Sequence, residues 1–255
     1  MNKNESLPLI SIITIVYNNV ATIRNAIQSV AYQDYKKIEH IVIDNSSTDG
    51  TLEAIYEQES SISLIISEPD NGIYFALNKG IKLSNGEIIG FLNSDDILKS
   101  RVTISKIVEK LLSSKSDAIY GDLQYFGRHK PNSIRRLWKA GDYSKNKIQK
   151  GWMPPHPTFY TYKENYIKYG YFDESYQISS DYEMMLRLLY WHNIKATYIP
   201  EVLVKMQTGG ISNQNMSSRL LKAREDLRIM KKYKFSIGTL IFKNISKLNQ
   251  FIFRK

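Results

Sequence analysis

The chain has 255 residues, of which 42% are apolar, so it is long enough to bury one large core or two smaller ones. It contains no cysteine, which excludes disulfides, thiolate ligands and cysteine nucleophiles, and its four histidines are too scattered for a zinc motif. The N-terminus is polar and no run of about 18 apolar residues occurs, so we expect neither a signal peptide nor a membrane span, and a cytosolic location.

The net charge of +10 lies almost entirely in two segments. Residues 127–150 hold eight basic residues and one acidic residue, and residues 219–255 hold eleven basic and two acidic residues. A nucleic-acid-binding protein would show such an excess, together with aromatic residues on which bases can stack. That alternative leaves the acidic residues of the first 126 positions unexplained, because this part of the chain is net negative.

Strands and helices alternate through the first hundred residues. The β-branched run over residues 9–17 predicts a strand buried on both faces, and the apolar spacing that follows predicts a helix within residues 21–33. The same reasoning predicts strands at 40–43, 64–67 and 87–92, and helices at 51–59 and 73–83. This alternation is typical of a doubly wound α/β fold with a mainly parallel sheet and helices on both faces.

The pattern is less regular from residue 99 onward. We expect a helix over 100–113, a short strand over 118–120, a loop-rich basic insertion over 125–152 and a rigid turn at residues 154–157. A helix over 181–190 and a strand over 196–206 precede the Gly209-Gly210 pair, and the chain ends in a basic amphipathic helical segment. The expected organisation is one domain over 1–215, with halves 1–98 and 99–215, and a tail over 216–255.

Polar residues follow every predicted strand of the first half. They are the segments Tyr17-Asn18, Asp44–Ser46, Glu68–Gly72 and Asn93–Asp96. In a parallel sheet these strand ends share one edge. Two adjacent carboxylates repel each other, and a hard divalent cation relieves the repulsion while taking its other ligands from water and phosphate. The edge therefore predicts a metal-assisted diphosphate site, although Asp and Ser are also ordinary turn and capping residues.

Four segments in a fixed order make the pattern more specific. The run SIITIVYNN, the block IDNSSTDGT, the segment EPDNGIYFALNKG and the tetrapeptide NSDD resemble the N-terminal half of family 2 glycosyltransferases, and the resemblance extends over residues 9–215. It implies the GT-A fold, a nucleotide-sugar donor across the strand ends with UDP favoured, Mn²⁺ or Mg²⁺ as cofactor, and inversion in a single displacement. The helix at 181–190 lacks the Gln-x-x-Arg-Trp motif of processive members, so we expect transfer of one sugar.

The resemblance also assigns roles on the donor side. It implies that Tyr17 and Asn18 contact the nucleoside, that Asp95 lies at the ribose or diphosphate, and that Asp96 binds the metal. Asp44 is assigned to the base, which suits an ionised carboxylate because it only accepts hydrogen bonds and can read an imide N–H. The other expected donor-binding residues in these motifs are Ser46, Asp70, Gly72, Asn78 and Asn93.

The second half must supply a base that activates the acceptor. Asp181, at the start of a predicted helix, is the candidate because the family has an Asp at this place, although an acidic residue in a first turn also stabilises the helix dipole. It would take the proton from an acceptor hydroxyl as that oxygen attacks the anomeric carbon. Glu183 is the second candidate, Arg187 would hold Asp181 or a phosphate, and His156 would lie near the acceptor or the diphosphate.

The predicted function is a metal-dependent inverting glycosyltransferase that adds one sugar to a saccharide or lipid-linked acceptor in surface polysaccharide biosynthesis. The basic tail, with Phe251 and Phe253 among its lysines, is typical of an interfacial helix on an anionic membrane, so we expect peripheral attachment at the inner face of the cell membrane. No nucleic-acid partner is expected. The alternatives are a nucleotidyltransferase, a nucleic-acid-binding protein and an inactive nucleotide-sugar-binding scaffold.

Overall fold

The computed structural model describes residues 7–127, 130–208, 216–235 and 239, with the backbone alone at 130–133. The strands are β1 (Ile10–Val16), β2 (Ile38–Asp44), β3 (Leu64–Ser67), β4 (Ile88–Phe91), β5 (Ile97–Leu98), β6 (Ala118–Gly127), β7 (Lys130–Trp138), β8 (Tyr160–Tyr162) and β9 (Ala196–Gln207). The helices are α1 (Ile23–Ala31), α2 (Thr51–Tyr56), α3 (Ile73–Leu83), α4 (Thr103–Ser114), α5 (Lys145–Gln149), α6 (Lys163–Tyr169), α7 (Ser180–Met185) and α8 (Met216–Lys232).

All the strands belong to one sheet, in the order β3-β2-β1-β4-β8-β6-β9-β5, with β7 paired to β6. The first four strands of this order are parallel, as the sequence predicts. Beyond β4 the directions mix: β8 is antiparallel to both β4 and β6, whereas β9 is parallel to β6. The carboxyl ends of β1, β2, β3 and β4 therefore lie on one edge.

Helices cover both faces of this sheet. Ile10 and Ile12 of β1 pack in a core with α1 and α4, whereas Ile13 packs in a separate core with α3 and α7. This division follows from the strand period of two, which sends successive side chains to opposite faces. On the α3 side the helix approaches closely, because a Cβ at Gly80 would lie 2.5 Å from Ile13 Cγ2. The predicted doubly wound α/β class is confirmed.

The prediction of a loop-rich insertion over residues 125–152 is wrong. Strand β6 continues to Gly127 and pairs with β7, and α5 follows. The hairpin is stabilised by stacking, since the Arg136 guanidinium lies 4.8 Å from the Tyr125 ring centroid and 5.8 Å from that of Trp138. Shifts in register at residues 125–127 break the period of two, which explains why the alternation is hard to read in the sequence.

The first part of the predicted tail is a helix, α8, and it packs on the rest of the chain. Its buried residues are Glu225, Asp226, Ile229 and Met230. The predicted amphipathic segment beyond residue 235, apart from Thr239, and the Gly209-Gly210 pair lie outside the described residues. Among the described helices, none has the length and apolar character needed to cross a membrane.

Candidate functional site

The loop after β1 is tied directly to the NSDD segment after β4. The side-chain amide of Asn19 donates to Ser94 Oγ at 2.8 Å, and Thr22 Oγ1 donates to the Ser94 carbonyl at 2.9 Å. The turn of NSDD itself is closed by the N–H of Asp96, which donates to the Asn93 carbonyl at 3.0 Å. These bonds hold the two acidic residues at the strand edge that the parallel topology defines.

Asp96 is a buried carboxyl group at this edge, and its surroundings shift its pKa. Its side chain is completely buried, and Asn93 Nδ2 donates to Oδ2 at 2.9 Å. Burial, and next the charge of Asp95, raise the pKa of Asp96 well above its usual value, although Asn93 and the Gln207 backbone oppose this. Its other oxygen, Oδ1, is buried with no hydrogen-bond partner among the residues that the structure describes.

This arrangement fits a divalent cation. A cation would relieve the repulsion between Asp95 and Asp96 and would use the unpaired oxygen. Within the described ranges no group of three or more His, Cys, Asp or Glu residues could hold a metal. The candidate ligands at this edge are the carboxylates of Asp95 and Asp96. That donor set suits Mg²⁺ or Mn²⁺, whose remaining positions go to water and phosphate oxygens. Asp95 also borders a cavity of about 750 Å³.

Asp44 lies beneath the loop after β2. It is completely buried, and it accepts hydrogen bonds from the backbone N–H of Ser47 at 3.0 Å, from the Ser47 hydroxyl, and from Ser67 Oγ at 2.6 Å. Ser46 adopts a φ of 49°, in the left-handed region. These contacts indicate that Asp44 shapes the loop, and its predicted contact with the base stays a prediction.

Tyr17 and Asn18 lie in the loop after β1, which contacts the loop after β2. The Tyr17 side chain is 61% exposed, so its ring is available for stacking. Asn18 has a φ of 46°, its Oδ1 accepts from the Thr48 N–H at 2.8 Å, and its own N–H donates to Ser47 Oγ at 2.8 Å. Asn18 is thereby joined to the loop that Asp44 holds through Ser47, and Tyr17 is the next residue toward β1.

Asp70 and Gly72 lie in the loop between β3 and α3. The N–H of Asp70 donates to Asn45 Oδ1 at 2.5 Å, and Lys79 Nζ lies 2.6 Å from Asp70 Oδ1. Gly72 has a φ of +131°, which is unfavourable for any residue with a Cβ. The loop is thereby joined to the end of β2, at the predicted edge.

Asn78 is held by a different part of the chain. Its Nδ2 donates to the Phe172 carbonyl at 2.9 Å and to Glu174 Oε1 at 2.8 Å, and its Oδ1 accepts from the Phe172 N–H at 2.9 Å. With the side chain 97% buried against these partners, its contacts are those of a brace between α3 and residues 172–174. Its predicted contact with the donor stays a prediction.

Asp181 and His156 lie near the end of β4. The N–H of Asp181 is 3.5 Å from Tyr74 Oη, in the first turn of α3, and its Oδ1 accepts from the Tyr182 N–H at 2.8 Å. The ring of His156 is 5.3 Å from that of Phe91, the last residue of β4. Burial lowers the pKa of His156, while the charge of Asp181 acts in the opposite direction. The predicted base is thus close to His156 and to the strand that leads into NSDD.

Glu183 and Arg187 face away from this edge, toward α8. Glu183 is completely buried, and its Oε1 accepts from Lys232 Nζ at 2.8 Å and from Tyr233 Oη at 2.7 Å. Arg187 Nη2 lies 3.3 Å from Glu183 Oε2 and donates to the Tyr171 carbonyl at 2.6 Å. Both side chains have the contacts of structural anchors, and the predicted roles of Glu183 as second candidate for the base and of Arg187 as a partner of Asp181 or a phosphate stay predictions.

Two residues near Asp181, Tyr74 and Glu225, are not predicted from the sequence. Tyr74 is buried, and burial followed by the charge of Asp181 raises its pKa well above the usual value. Glu225, on α8, accepts hydrogen bonds from the segment before α7. The one available signal in the sequence is the acidic pair Glu225-Asp226 within an otherwise basic helix, since a carboxylate against that pattern suggests a specific partner.

Together, the fold and site define an α/β protein with an acidic, cation-compatible edge at the ends of parallel strands. The model of "Glycosyl transferase family 2" matches residues 11–176. The chain belongs to this family and is a glycosyltransferase, so the predicted family and enzyme class are confirmed.

Curated relatives agree with this assignment. An uncharacterized glycosyltransferase of Mycobacterium tuberculosis is 32% identical over 184 residues, which cover 71% of this chain and 69% of that protein. A PGL/p-HBAD biosynthesis glycosyltransferase of Mycobacterium bovis is 25% identical over 220 residues, covering 84% of this chain and 83% of that protein.

Two solved structures share the fold. S. aureus TarS 1-349 in complex with UDP-GlcNAc has a TM-score of 0.64 at 17% identity, over 84% of this chain and 66% of that chain. The mannosyltransferase PcManGT of Pyrobaculum calidifontis, in complex with GDP-Man and Mn²⁺, has a TM-score of 0.67 at 17% identity, over 91% of this chain and 65% of that chain. This chain therefore spans slightly less than two thirds of the length of these solved chains.

Proposed function

We propose that this protein transfers a single sugar from a nucleotide-sugar, with UDP as the favoured nucleotide, to a hydroxyl of a saccharide or lipid-linked acceptor, with help from Mn²⁺ or Mg²⁺. The observation that carries the proposal is Asp96 Oδ1, which is buried beside Asp95 at the strand edge and has no hydrogen-bond partner among the described residues. Supporting it, solved proteins of the same fold bind UDP-GlcNAc, or GDP-Man with Mn²⁺. We retain the division into a donor half (1–98), an acceptor half (99–215) and a tail (216–255) as part of this proposal.

The donor side of the mechanism follows from the strand edge. Asp96 would hold the cation, with Asp95 beside it, and the cation would offset the charge of the departing nucleoside diphosphate. The exposed ring of Tyr17 would stack on the nucleobase, while Asn18 and Asp44 keep the surrounding loops in place.

On the acceptor side, Asp181 would remove the proton from the acceptor hydroxyl. The oxygen of that hydroxyl forms a bond to the anomeric carbon on the face opposite the leaving group, while the bond from this carbon to the diphosphate oxygen breaks. The configuration at the carbon is thereby inverted. His156, buried and near Asp181, presents an unpaired Nε2, among the described residues, with which it could orient the acceptor or the diphosphate.

The base is tested with purified protein and a panel of UDP-, GDP- and dTDP-sugars. Asp181→Asn removes the proton acceptor, so we expect kcat to fall by about 10²–10⁴-fold while the donor still binds with unchanged affinity in calorimetry. The matched control is Glu164→Gln, an exposed acidic residue in the first turn of α6, which should behave as wild type. Full activity of Asp181→Asn would contradict the assigned base.

We further propose that the enzyme binds peripherally to an anionic membrane at its cytosolic face, where a lipid-linked acceptor would lie. Besides the basic tail, the support comes from Trp191, which is 63% exposed and 6.1 Å from the Tyr233 ring. It thus lies beside the end of α8, where Lys231 and Lys234 are exposed. An exposed Trp next to lysines is typical of interfacial anchors, and each lysine near such a surface contributes about 1 kcal/mol.

Vesicle sedimentation tests this attachment. We expect binding to phosphatidylglycerol-containing vesicles and little binding to neutral ones, with a reduction in the Trp191→Ala protein and in the double variant Lys231→Glu, Lys234→Glu. The control is Lys36→Glu with Lys37→Glu, which makes the same charge change at exposed positions before β2. Equal loss in the control would indicate a net-charge effect, and absence of binding by the wild type would refute the attachment.

A further inference from the structure

We propose that Glu225 of α8 is a positioning residue for catalysis, which fixes the backbone before α7 and thereby sets the place of Asp181. The inference rests on the proposed role of Asp181 as the base. It gives α8 a part in the reaction that is separate from any attachment of the tail to a membrane.

Three consecutive backbone N–H groups converge on the Glu225 carboxylate. Gln177 donates to Oε1 at 2.7 Å, while Ile178 and Ser179 donate to Oε2 at 3.0 and 2.8 Å. Glu225 is 7% exposed, so these bonds are largely shielded from water. Hydrogen bonds from backbone N–H groups to an ionised carboxylate are shorter and stronger than those between neutral groups. The segment 177–179 is therefore fixed to α8 at every residue.

This segment leads directly into the proposed base. Ser179 immediately precedes α7, and Asp181 is the second residue of that helix. Any change in the path of residues 177–179 would move the Asp181 carboxylate relative to the acceptor. Proton transfer requires hydrogen-bond distance to the reacting hydroxyl, and a displacement of about 1 Å can cost about 100-fold in rate.

Helix α8 is itself held on both sides of Glu225. Toward its C-terminus, Lys232 and Tyr233 bind the buried Glu183 of α7. One turn before Glu225, Lys222 Nζ lies 3.4 Å from Ser179 Oγ, and one turn after it the Arg228 guanidinium is 4.7 Å from the Tyr176 ring centroid. Because these contacts bracket Glu225, the carboxylate is a fixed point against which residues 177–179 are ordered.

A carboxylate is required for this role, and an amide is a poor substitute. Ionised Glu offers only acceptor sites, which match three donors. In Gln one of the two oxygens becomes an NH₂ group, so at least one backbone N–H would face another donor and lose its partner. Glu225→Gln keeps the size of the side chain but removes one of the two acceptor oxygens. Glu225→Asp keeps a charged carboxylate with two acceptor oxygens but shortens the side chain by one methylene.

The test compares steady-state kinetics of full-length Glu225→Gln, Glu225→Asp and Asp181→Asn with melting temperatures. For Glu225→Gln we expect kcat to fall by about 100-fold with the donor KM within about twofold of wild type, because the donor edge is untouched. The kcat of Glu225→Asp should be about tenfold higher than that of Glu225→Gln. The control, Ile107→Ala in the core beneath α4, should lower the melting temperature at least as much and leave kcat within about twofold.

Each outcome bears on one hypothesis. If Asp181→Asn is inactive and Glu225→Gln keeps its kcat at a temperature well below its melting point, the positioning role is refuted and the proposed function stands. If Asp181→Asn keeps full activity, the assignment of Asp181 as the base is refuted, and the positioning role of Glu225 is refuted as well. Should Glu225→Gln fail to fold, Glu225→Asp decides: a lower kcat at unchanged donor KM supports the role, and an unchanged kcat refutes it.

Discussion

Two groups of buried carboxylates differ in the charge of their neighbours. On the side of α7 and α8, Glu183 Oε1 accepts from Lys232 and Tyr233, and its Oε2 makes no hydrogen bond within the described residues but lies 3.3 Å from Arg187 Nη2. Glu225 accepts from three backbone N–H groups. At the strand edge, Asp96 has a buried oxygen without a partner among the described residues and a neighbouring acid that raises its pKa. Burial of an acid alone therefore indicates little about function, whereas a buried acid with an unpaired oxygen and an acidic neighbour is compatible with the binding of a cation.

Asp44 shows the same distinction within the strand edge itself. It is as buried as Asp96, yet serines hold both of its oxygens. Asp44 ends β2 and Asp96 follows β4, the two strands on either side of β1, and both come from acidic motifs of the same resemblance. Their environments separate them into a residue that shapes a loop and a residue suited to bind a metal.

Asp96, the buried carboxyl group with an acidic neighbour, is the first place to test this difference. Because its pKa in the folded protein is raised, the folded state binds more protons than the unfolded chain, and stability without metal is lost as pH rises above the ordinary Asp value. Asp96→Asn imitates the protonated form. We expect it to raise the metal-free stability by about 1–2 kcal/mol at about pH 8 and to remove the increase in melting temperature that Mn²⁺ gives the wild type. Thermal unfolding with and without Mn²⁺ measures both.

If Asp96→Asn destabilised the protein, Asp96 would resemble Glu183 and Glu225, and the difference between the two groups of carboxylates would be refuted. As a check on pH, the stability difference between the variant and wild type should vanish below about pH 3.5, where the carboxyl group is protonated in both the folded and the unfolded state.

Glu183→Gln provides the opposite case. It leaves Lys232 and Tyr233 without their charged acceptor, so we expect a loss of about 2–3 kcal/mol in the free energy of unfolding. The control is Glu201→Gln, which breaks an exposed pair with Lys106 and should cost less than about 1 kcal/mol. Urea unfolding measures the free energy of unfolding of both variants. Equal decreases would show that the hydrogen bonds to the buried Glu183 contribute no more to stability than the exposed ion pair of Glu201.

A smaller effect extends the comparison to a buried neutral group. His40 Nε2 lies 3.0 Å from Thr14 Oγ1, while Nδ1 has no partner among the described residues, and burial lowers the pKa of His40 to about 4. The unfolded chain then binds more protons than the folded state, so stability is lost as pH falls from about 6.5 toward 4. We expect a loss of about 1–2 kcal/mol between about pH 7.5 and pH 5 from this group.

The double variant His40→Leu, Thr14→Val removes both polar partners together, so no buried group is left unpaired. In this variant the loss that arises from His40 should disappear, which urea unfolding at the two pH values will show. An unchanged pH dependence would mean that His40 is not the group responsible.

The sequence predicts the donor half well because its information is local. The β-branched runs of β1 and β2 and the polar residues after them define strands, direction and edge together. The hairpin β6–β7 is not predicted, because the shifts in register leave no regular period of two in its sequence. The contacts of Arg136 with Tyr125 and Trp138 that stabilise it also have no pattern in the sequence. Glu225 is missed because its partners lie 46 to 48 residues away and are backbone N–H groups, which no side-chain pattern reveals.

The most direct test of the central claim is release of nucleotide from UDP-sugars, with acceptor, by wild type and Asp96→Asn protein, each with Mn²⁺ or with EDTA. We expect the wild type to release nucleotide with Mn²⁺ but not with EDTA. In Asp96→Asn the rate of release should fall by about 10³-fold or more, although that protein is folded and no less stable. Release that persists in EDTA, or in Asp96→Asn at the rate of the wild type, would contradict the assignment of Asp96 to a metal-assisted transfer.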